Sequence, residues 1–169
     1  MNILHGEIME LVSEGELSLV KVLAYGQIFH SIVIDTPDSS PYLTKGHPVR
    51  LLFKETEVII ATTDPLSVSV RNQLRCRVKK ITAGKLLCEL TLSWNPAPTL
   101  TAGIPTPNSA FLAPVAGPPS PDTGNPSPTA APDIRSVITR NACEQLDLKE
   151  NDPVIALIKT NEVSLSPHD

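Results

Sequence analysis

The chain has 169 residues, of which 41% are hydrophobic and 4% aromatic, and its formal net charge is -4. This length allows one ordinary domain or two very small ones. The acidic balance and the scarcity of aromatic residues argue against a sequence-independent nucleic-acid binder, which needs a basic face and often stacking aromatics. Cys76, Cys88 and Cys143 form no CxxC pair, and we expect reduced, structural thiols.

Neither a secretory leader nor a membrane span is predicted. Glu7, Glu10 and Glu14 interrupt the first segment, which lacks a basic region followed by a continuous apolar stretch. No later window approaches the roughly 18 to 20 apolar residues that a bilayer span requires. We therefore expect a soluble, cytoplasmic protein that does not bind membranes.

Five short strands are predicted in the first part of the chain, because apolar residues alternate or run together between turn signals. The predicted strands cover residues 3–12, 17–23, 28–34, 49–53 and 58–61. A single helical turn is expected near residues 38–40. Five strands of this size suit a small closed or partly closed barrel, which hides its sheet edges.

The sequence contains an internal repeat. GHPVRLLFKETEVIIA, from Gly46, matches NDPVIALIKTNEVSLS, from Asn151, without a gap, and the segment from Asn2 matches the segment from Asn72. We therefore predict two tandem units, residues 1–64 and 65–169. The matched pairs include Asn2/Asn72, Gly15/Gly84, Leu17/Leu86, Pro48/Pro153 and Lys54/Lys159.

A proline-rich stretch interrupts the second unit at about residues 96–133. It contains 11 of the 17 prolines, and each proline removes a donor that a central strand would need. Its few apolar residues cannot offset the chain entropy of folding, so we predict a disordered surface loop. The alternative is a proline-rich ligand for a partner domain, although no clear PxxP core is present.

The clearest helix prediction lies just after this stretch. Residues 139–146 have helical spacing up to Leu146, with Thr139 and Asn141 as candidate N-caps. The predicted fold class is therefore all-β, with short helical caps.

Ser69 and Arg71 are candidate binding residues at the start of the second unit. They are two positions apart and share a face if the segment is extended. A guanidinium offers two parallel donors and a hydroxyl adds a third, which suits a tetrahedral dianion, and neither group can transfer a proton away at neutral pH. Ser-x-Arg alone is also compatible with an ordinary surface arginine.

Lys54 and Lys159 occupy the same place in the two units. Each follows a short apolar run and precedes a hydroxyl residue within two positions. A lysine at the end of a buried strand can be a surface residue with a buried stem or an anion ligand, and the sequence leaves both readings open.

Catalysis is not predicted. No nucleophile with a base, no paired carboxylates and no metal-ligand spacing is recognisable, and GxxxxGK[ST] is absent. The four histidines are scattered without partner motifs. A DNA-reading helix-turn-helix is not expected either, because the first barrel begins at residue 2.

Three segments carry a resemblance to a known family. They are Ser69-Val70-Arg71-Asn72, Ile138-Thr139 followed by Leu146-Asp147-Leu148, and ALIKTNEV from Ala156. They resemble the Mop domains of the TOBE group, which occur in small cytoplasmic molybdate-binding proteins, in the sensor half of a molybdate-responsive transcription regulator and in molybdate transporter ATPases. The resemblance covers residues 2–62 and 67–166. It implies two tandem, five-stranded OB-like β-barrels packed together.

The resemblance also implies oxyanion sites where units or subunits meet, and hence a homo-oligomer. The bound ligand would be molybdate or tungstate, without an organic cofactor. The implied ligands are Ser69, Arg71, Thr139, Lys159 and the backbone of Thr160, with Asn72 and Lys54 as possible additions.

The implied function is intracellular storage, buffering or homeostasis of the anion. The alternative is an anion-sensing effector module that regulates a separate partner protein of molybdenum metabolism. Two departures from the family pattern bear on the site: Ala142 stands where a serine is common, and the first unit lacks counterparts of Ser69 and Arg71. Residues 34–35 do not reproduce the Ile-Thr pair, so the first unit is expected to be mainly a structural partner.

Overall fold

The computed structural model describes residues 1–62, 67–94 and 130–168. Most of the predicted proline-rich loop lies outside these ranges. The strands are β1 (Asn2–Glu14), β2 (Leu17–Ala24), β3 (Gln27–Val33), β4 (Pro48–Phe53), β5 (Ile59–Ala61), β6 (Asn72–Ala83), β7 (Leu87–Trp94), β8 (Ile134–Thr139), β9 (Pro153–Ile158) and β10 (Ser164–Pro167). The helix α1 (Arg140–Gln145) and two 3₁₀ turns (Glu55–Glu57 and Thr160–Glu162) accompany them. The predicted all-β fold with tandem OB-like units is confirmed.

The ten strands form two five-stranded sheets whose last strands are exchanged. The first sheet has the order β10-β4-β1-β2-β3, and the second has the order β5-β9-β6-β7-β8. All pairings are antiparallel. The last strand of the first unit, β5, therefore pairs with β9 of the second, and β10 pairs with β4. Each unit completes the sheet of the other.

Both units fold with the same strand register. The long first strands have bulges after Ile8 and Val78, so the front halves of the units are offset by 70 positions. By this offset Leu17 corresponds to Leu87. The predicted pairs Leu17/Leu86 and Gly15/Gly84 are therefore each wrong by one residue. The reason is that the turn glycine lies one position earlier in the second hairpin than in the first.

Side chains alternate between core and solvent along most strands, as the sequence pattern predicted. In β2, Val20 and Val22 are fully buried, whereas Leu19 lies outside. β9 instead buries residues 154–158 in succession, so side chains on both of its faces are covered. Large side chains such as Phe29 each contribute about 1.5–3 kcal/mol by leaving water.

Two asparagines at equivalent positions clamp the units together. The side chain of Asn72 accepts a hydrogen bond from the backbone N–H of His30 at 2.7 Å and donates to the carbonyl of the same residue at 2.8 Å. Asn2 makes the same pair of bonds with the backbone of Arg135, at 2.7 and 2.9 Å. Each clamp fixes the outermost strand of one unit against the first strand of the other.

Two buried serines add a second set of bonds across the same seam. Ser136 Oγ donates to the carbonyl of Val58 at 2.9 Å, and Ser31 Oγ donates to the carbonyl of Val163. Both serines are fully buried. Hydrogen bonds therefore join the two units in two nearly equivalent places.

The short helical elements also agree with the sequence. Thr139 caps α1, because its side chain accepts a hydrogen bond from the N–H of Ala142 at 3.2 Å. In the first unit the chain makes one hydrogen-bonded turn, with the N–H of Ser40 donating to the carbonyl of Thr36 at 2.8 Å. Among the described residues, no helix is long and apolar enough to cross a bilayer.

Candidate functional site

The segment before β6 forms one wall of an open cavity. Ser69 and Arg71 line this cavity of about 460 Å³ together with Val68, Val70 and Gln73. Gln73 Nε2 donates to the carbonyl of Val70 at 2.9 Å, which holds the segment against the start of β6. The side chains of Ser69 and Arg71 are exposed. The hydroxyl and the guanidinium predicted from the sequence are therefore available at one surface.

Arg71 and Lys159 lie at the same end of two paired strands. The last paired residues of β6 and β9 are Asn72 and Ile158, so Arg71 and Lys159 occupy the next position on each strand. Facing residues of an antiparallel pair have Cα atoms about 5 Å apart. Among the described residues, neither cation has an ion-pair partner. Two uncompensated positive charges thus meet at this edge.

Thr160 belongs to the same edge. Lys159 is still extended, and the second 3₁₀ turn begins at Thr160, immediately after the strand. Ser69 and Arg71 therefore line the cavity, and the strand register places Lys159 and Thr160 at the same edge as Arg71.

Thr139 lies at the other end of the second sheet. It pairs with Leu87, next to the hairpin in which Ala83 pairs with Cys88. The 12 residues of β6 separate this hairpin from Arg71, a length on the order of 35 Å for an extended strand. The structure therefore does not bring Thr139 to the other four residues within one chain. Its exposed hydroxyl caps α1 and retains its proton for donation.

Asn72 reaches the edge but faces inward. Its side chain is 1% exposed, and its amide is bound to the backbone of His30. It therefore fixes the start of β6, and with it Arg71, against β3 of the first unit.

Lys54 occupies the equivalent edge of the first sheet, in a different electrostatic setting. It precedes the first 3₁₀ turn as Lys159 precedes the second. Glu55, however, stands where the second unit has Thr160, and its carboxylate is bound to the ammonium of Met1. The two edges therefore differ chemically, because a carboxylate paired with an ammonium stands at this edge where Thr160 stands at the other.

Two further positions explain why the ends of the units differ. The backbone N–H of Ala142 donates a hydrogen bond to the side chain of Thr139, and the methyl group of Ala142 offers no further donor. In the first sheet, Val33 pairs with Ser18, and in the second sheet Ile138 pairs with Cys88, so Ile34 takes the place of Thr139. Ile34 is 78% exposed. The first unit therefore presents an apolar group where the second presents a hydroxyl.

His30 of the first unit also adjoins the edge, and sequence reasoning missed it. Burial lowers its pKa, and the positive charge of Arg71 lowers it further. Its Nδ1 atom is buried without a hydrogen-bond partner in the described part of the chain. No motif marks this histidine, because it lies 41 positions before Arg71 in the sequence and meets it only through the clamp of Asn72.

The other potentially reactive groups in the fold are three cysteine thiols. All three cysteines are buried and free. Burial raises the pKa of Cys76 to about 12, so this thiol stays protonated at neutral pH. No group of three histidine, cysteine or acidic side chains in the described ranges is placed to hold a metal ion. What the β6/β9 edge offers chemically is a set of hydrogen-bond donors and positive charges.

Comparison with solved structures shows that the fold is shared with known proteins. No protein-family model and no curated protein sequence matches the chain. The fold is similar to that of the cytoplasmic molybdate-binding protein ModG, whose crystal structure contains bound molybdate. The TM-score is 0.73 at 22% sequence identity, and the likeness covers 99% of this chain and 96% of that chain. The two proteins thus share the whole tandem fold, including both units.

Proposed function

We propose that the protein binds molybdate or tungstate at the edge where β6 begins and β9 ends. One observation supports this proposal: Ser69 and Arg71 line one cavity, Lys159 follows the strand end that faces Arg71, and neither cation has an ion-pair partner among the described residues. The likeness to a molybdate-binding protein over nearly the whole chain supports the choice of anion.

The donor set fits a doubly charged tetrahedral anion. The guanidinium of Arg71 can donate two parallel hydrogen bonds, the hydroxyl of Ser69 one, and the backbone N–H of Thr160 another. The ammonium of Lys159 balances the second negative charge. None of these groups accepts a proton at neutral pH, so the expected outcome is binding without turnover and without an organic cofactor.

Anion size provides a basis for selectivity. Sulfate is smaller than molybdate, and donors held beside the ends of two paired strands cannot all contract around it, which leaves some of them unsatisfied. Equilibrium dialysis with equimolar sulfate and molybdate tests this point. Even competition by sulfate would reject the size argument.

A second copy of the chain would complete the site. Thr139 cannot reach Arg71 within one chain, so its hydroxyl would have to come from a neighbouring copy. Leu86 and Leu87 beside it are 80% and 53% exposed, an apolar surface that a second copy could cover. We therefore propose a homo-oligomer with sites shared between copies. Light scattering that shows only monomers in the presence of molybdate would contradict the shared site.

The proposed role is cytoplasmic storage or buffering of the anion. A store loads several anions per oligomer without another protein. An effector module would instead show a partner whose affinity depends on anion occupancy, because the coupling must be reciprocal. The stoichiometry of loading separates these two roles.

Isothermal titration with molybdate, tungstate, sulfate and phosphate tests the proposed function. We expect tight binding of molybdate or tungstate and weak binding of sulfate and phosphate. Arg71→Ala should weaken binding far more than Lys54→Ala, which is the matched control at the other edge. Equal losses would contradict the assignment of the site to the second unit, and no binding to the wild-type protein would reject the proposed function.

A further inference from the structure

A row of titratable side chains crosses the outer face of the first sheet. Glu10 of β1 pairs with Lys21 of β2, and Lys21 pairs with His30 of β3. Lys21 Nζ lies 2.7 Å from the carboxylate of Glu10. Lys21 is thus already paired with an acid, whereas His30, at the end of the row, lies on the strand whose backbone is bound to Asn72 of the second unit.

The clamp of Asn72 brings this row to the proposed anion site. Both backbone groups of His30 are bound to the amide of Asn72, and Arg71 directly precedes Asn72 in the chain. At the other clamp the residue equivalent to His30 is Arg135, because Asn2 binds its backbone in the same way. A permanent cation therefore stands at one clamp, and a group that can gain or lose a proton near neutral pH stands at the other.

The surroundings disfavour the protonated form of His30. Its pKa is lowered by burial and by the positive charges of Arg71 and Lys21, whereas the charge of Glu10 acts in the opposite direction. The second 3₁₀ turn also packs against β3, and it brings Glu162 with the adjoining Lys159 to this side. Nδ1 is buried without a hydrogen-bond partner in the described ranges, so a proton there would have no acceptor on the chain.

We propose that His30 takes up a proton when a dianion binds beside Arg71, so that the affinity for the oxyanion rises as the pH falls. This inference rests on the proposed function. A dianion cancels the field of Arg71, which is the charge that most disfavours the imidazolium. Linkage is reciprocal. If anion binding favours protonation of the His30 ring, protonation of the ring increases the affinity for the anion by the same factor.

The test is isothermal titration with molybdate at about pH 6 and about pH 8, each in two buffers of different ionisation enthalpy. Paired buffers measure directly the number of protons taken up on binding. We expect uptake of a fraction of a proton per anion near pH 6.5, and an affinity several-fold higher at the lower pH. The limit is about tenfold for a coupling of one pKa unit.

Three variants separate this role from a structural one. His30→Gln should bind with little pH dependence and without proton uptake. His30→Arg, which copies the charge of Arg135, should bind at about pH 8 as tightly as the wild-type protein does at about pH 6. His5→Gln, at an exposed histidine whose ring contacts that of His168, should behave as the wild-type protein does.

Each result decides between the two proposals. Molybdate binding without proton uptake in the wild-type protein, or an unchanged pH dependence in His30→Gln, would overturn the role of His30 and leave the proposed function intact. No molybdate binding by the wild-type protein at either pH would overturn both.

Discussion

Replacing Asn72 by alanine tests the clamp between the two units. The substitution removes two hydrogen bonds at a side chain that is 1% exposed, and it leaves the N–H and the carbonyl of His30 without those partners. Each orphaned backbone group costs about 1–3 kcal/mol, so the free energy of unfolding should fall by about 2–6 kcal/mol. For a chain of this size, at about 2–4 °C per kcal/mol, the Tm should fall by roughly 4–24 °C.

Urea unfolding followed by tryptophan fluorescence measures this loss. The chain has a single tryptophan, Trp94, which is 4% exposed and contacts Tyr25 and Phe29 of the first unit edge to face, with ring centroids 5.7 Å apart. Its emission therefore reports directly on the seam between the units.

Asn2→Ala is the matched control, since Asn2 makes the equivalent clamp on Arg135. It should destabilise the fold by a similar amount, but only Asn72→Ala should also weaken molybdate binding, because only Asn72 adjoins Arg71. A loss below about 0.5 kcal/mol in Asn72→Ala would refute the clamp. Equal losses of affinity in the two variants would refute its link to the site.

Three other changes test the fold. Gly6→Ala should destabilise by about 1–3 kcal/mol in urea unfolding, since its Cβ would lie 2.6 Å from the carbonyl oxygen of Leu23; full stability would show that this strand pair can move apart. Ser136→Ala should cost about 1–3 kcal/mol because it orphans the carbonyl of Val58, and a neutral result would mean that the bond adds nothing at the seam. Folding lowers the pKa of His30, so as the pH falls through about 6.5 the unfolded chain takes up a proton on this ring before the folded chain does, and the free energy of unfolding decreases. His30→Gln should flatten that part of the pH profile of stability, and an unchanged profile would contradict the assignment.

Local patterns were enough to predict the strands. Alternation predicted a strand at residues 3–12, and β1 extends from Asn2 to Glu14 because its pairing with β2 continues to the turn. The exchange of β5 and β10 was not predictable in this way. The two units present nearly identical pairing edges, so the sequence pattern of a short strand such as Ile59–Ala61 does not indicate which sheet the strand joins.

The candidate site was predictable only where sequence neighbours are also neighbours in space. Ser69 and Arg71 were predicted as ligands from one motif, and Lys159 was predicted from its place in the repeat. The separation of Thr139 depends on the length of β6 and on strand order, which no local motif records. The inward direction of Asn72 and the approach of His30 depend on contacts between units, so both needed the structure.

The exchanged strands make this chain comparable to a domain-swapped homodimer whose two protomers have been joined end to end. Folding is then intramolecular, so the stability of the pair does not depend on protein concentration as it would for separate halves. Cutting the chain between residues 62 and 67 should yield fragments that stay associated, each holding a strand of the other's sheet. Expressed alone, either fragment would leave one sheet edge of its own unpaired and one strand without a partner, and it should aggregate until the other fragment is added.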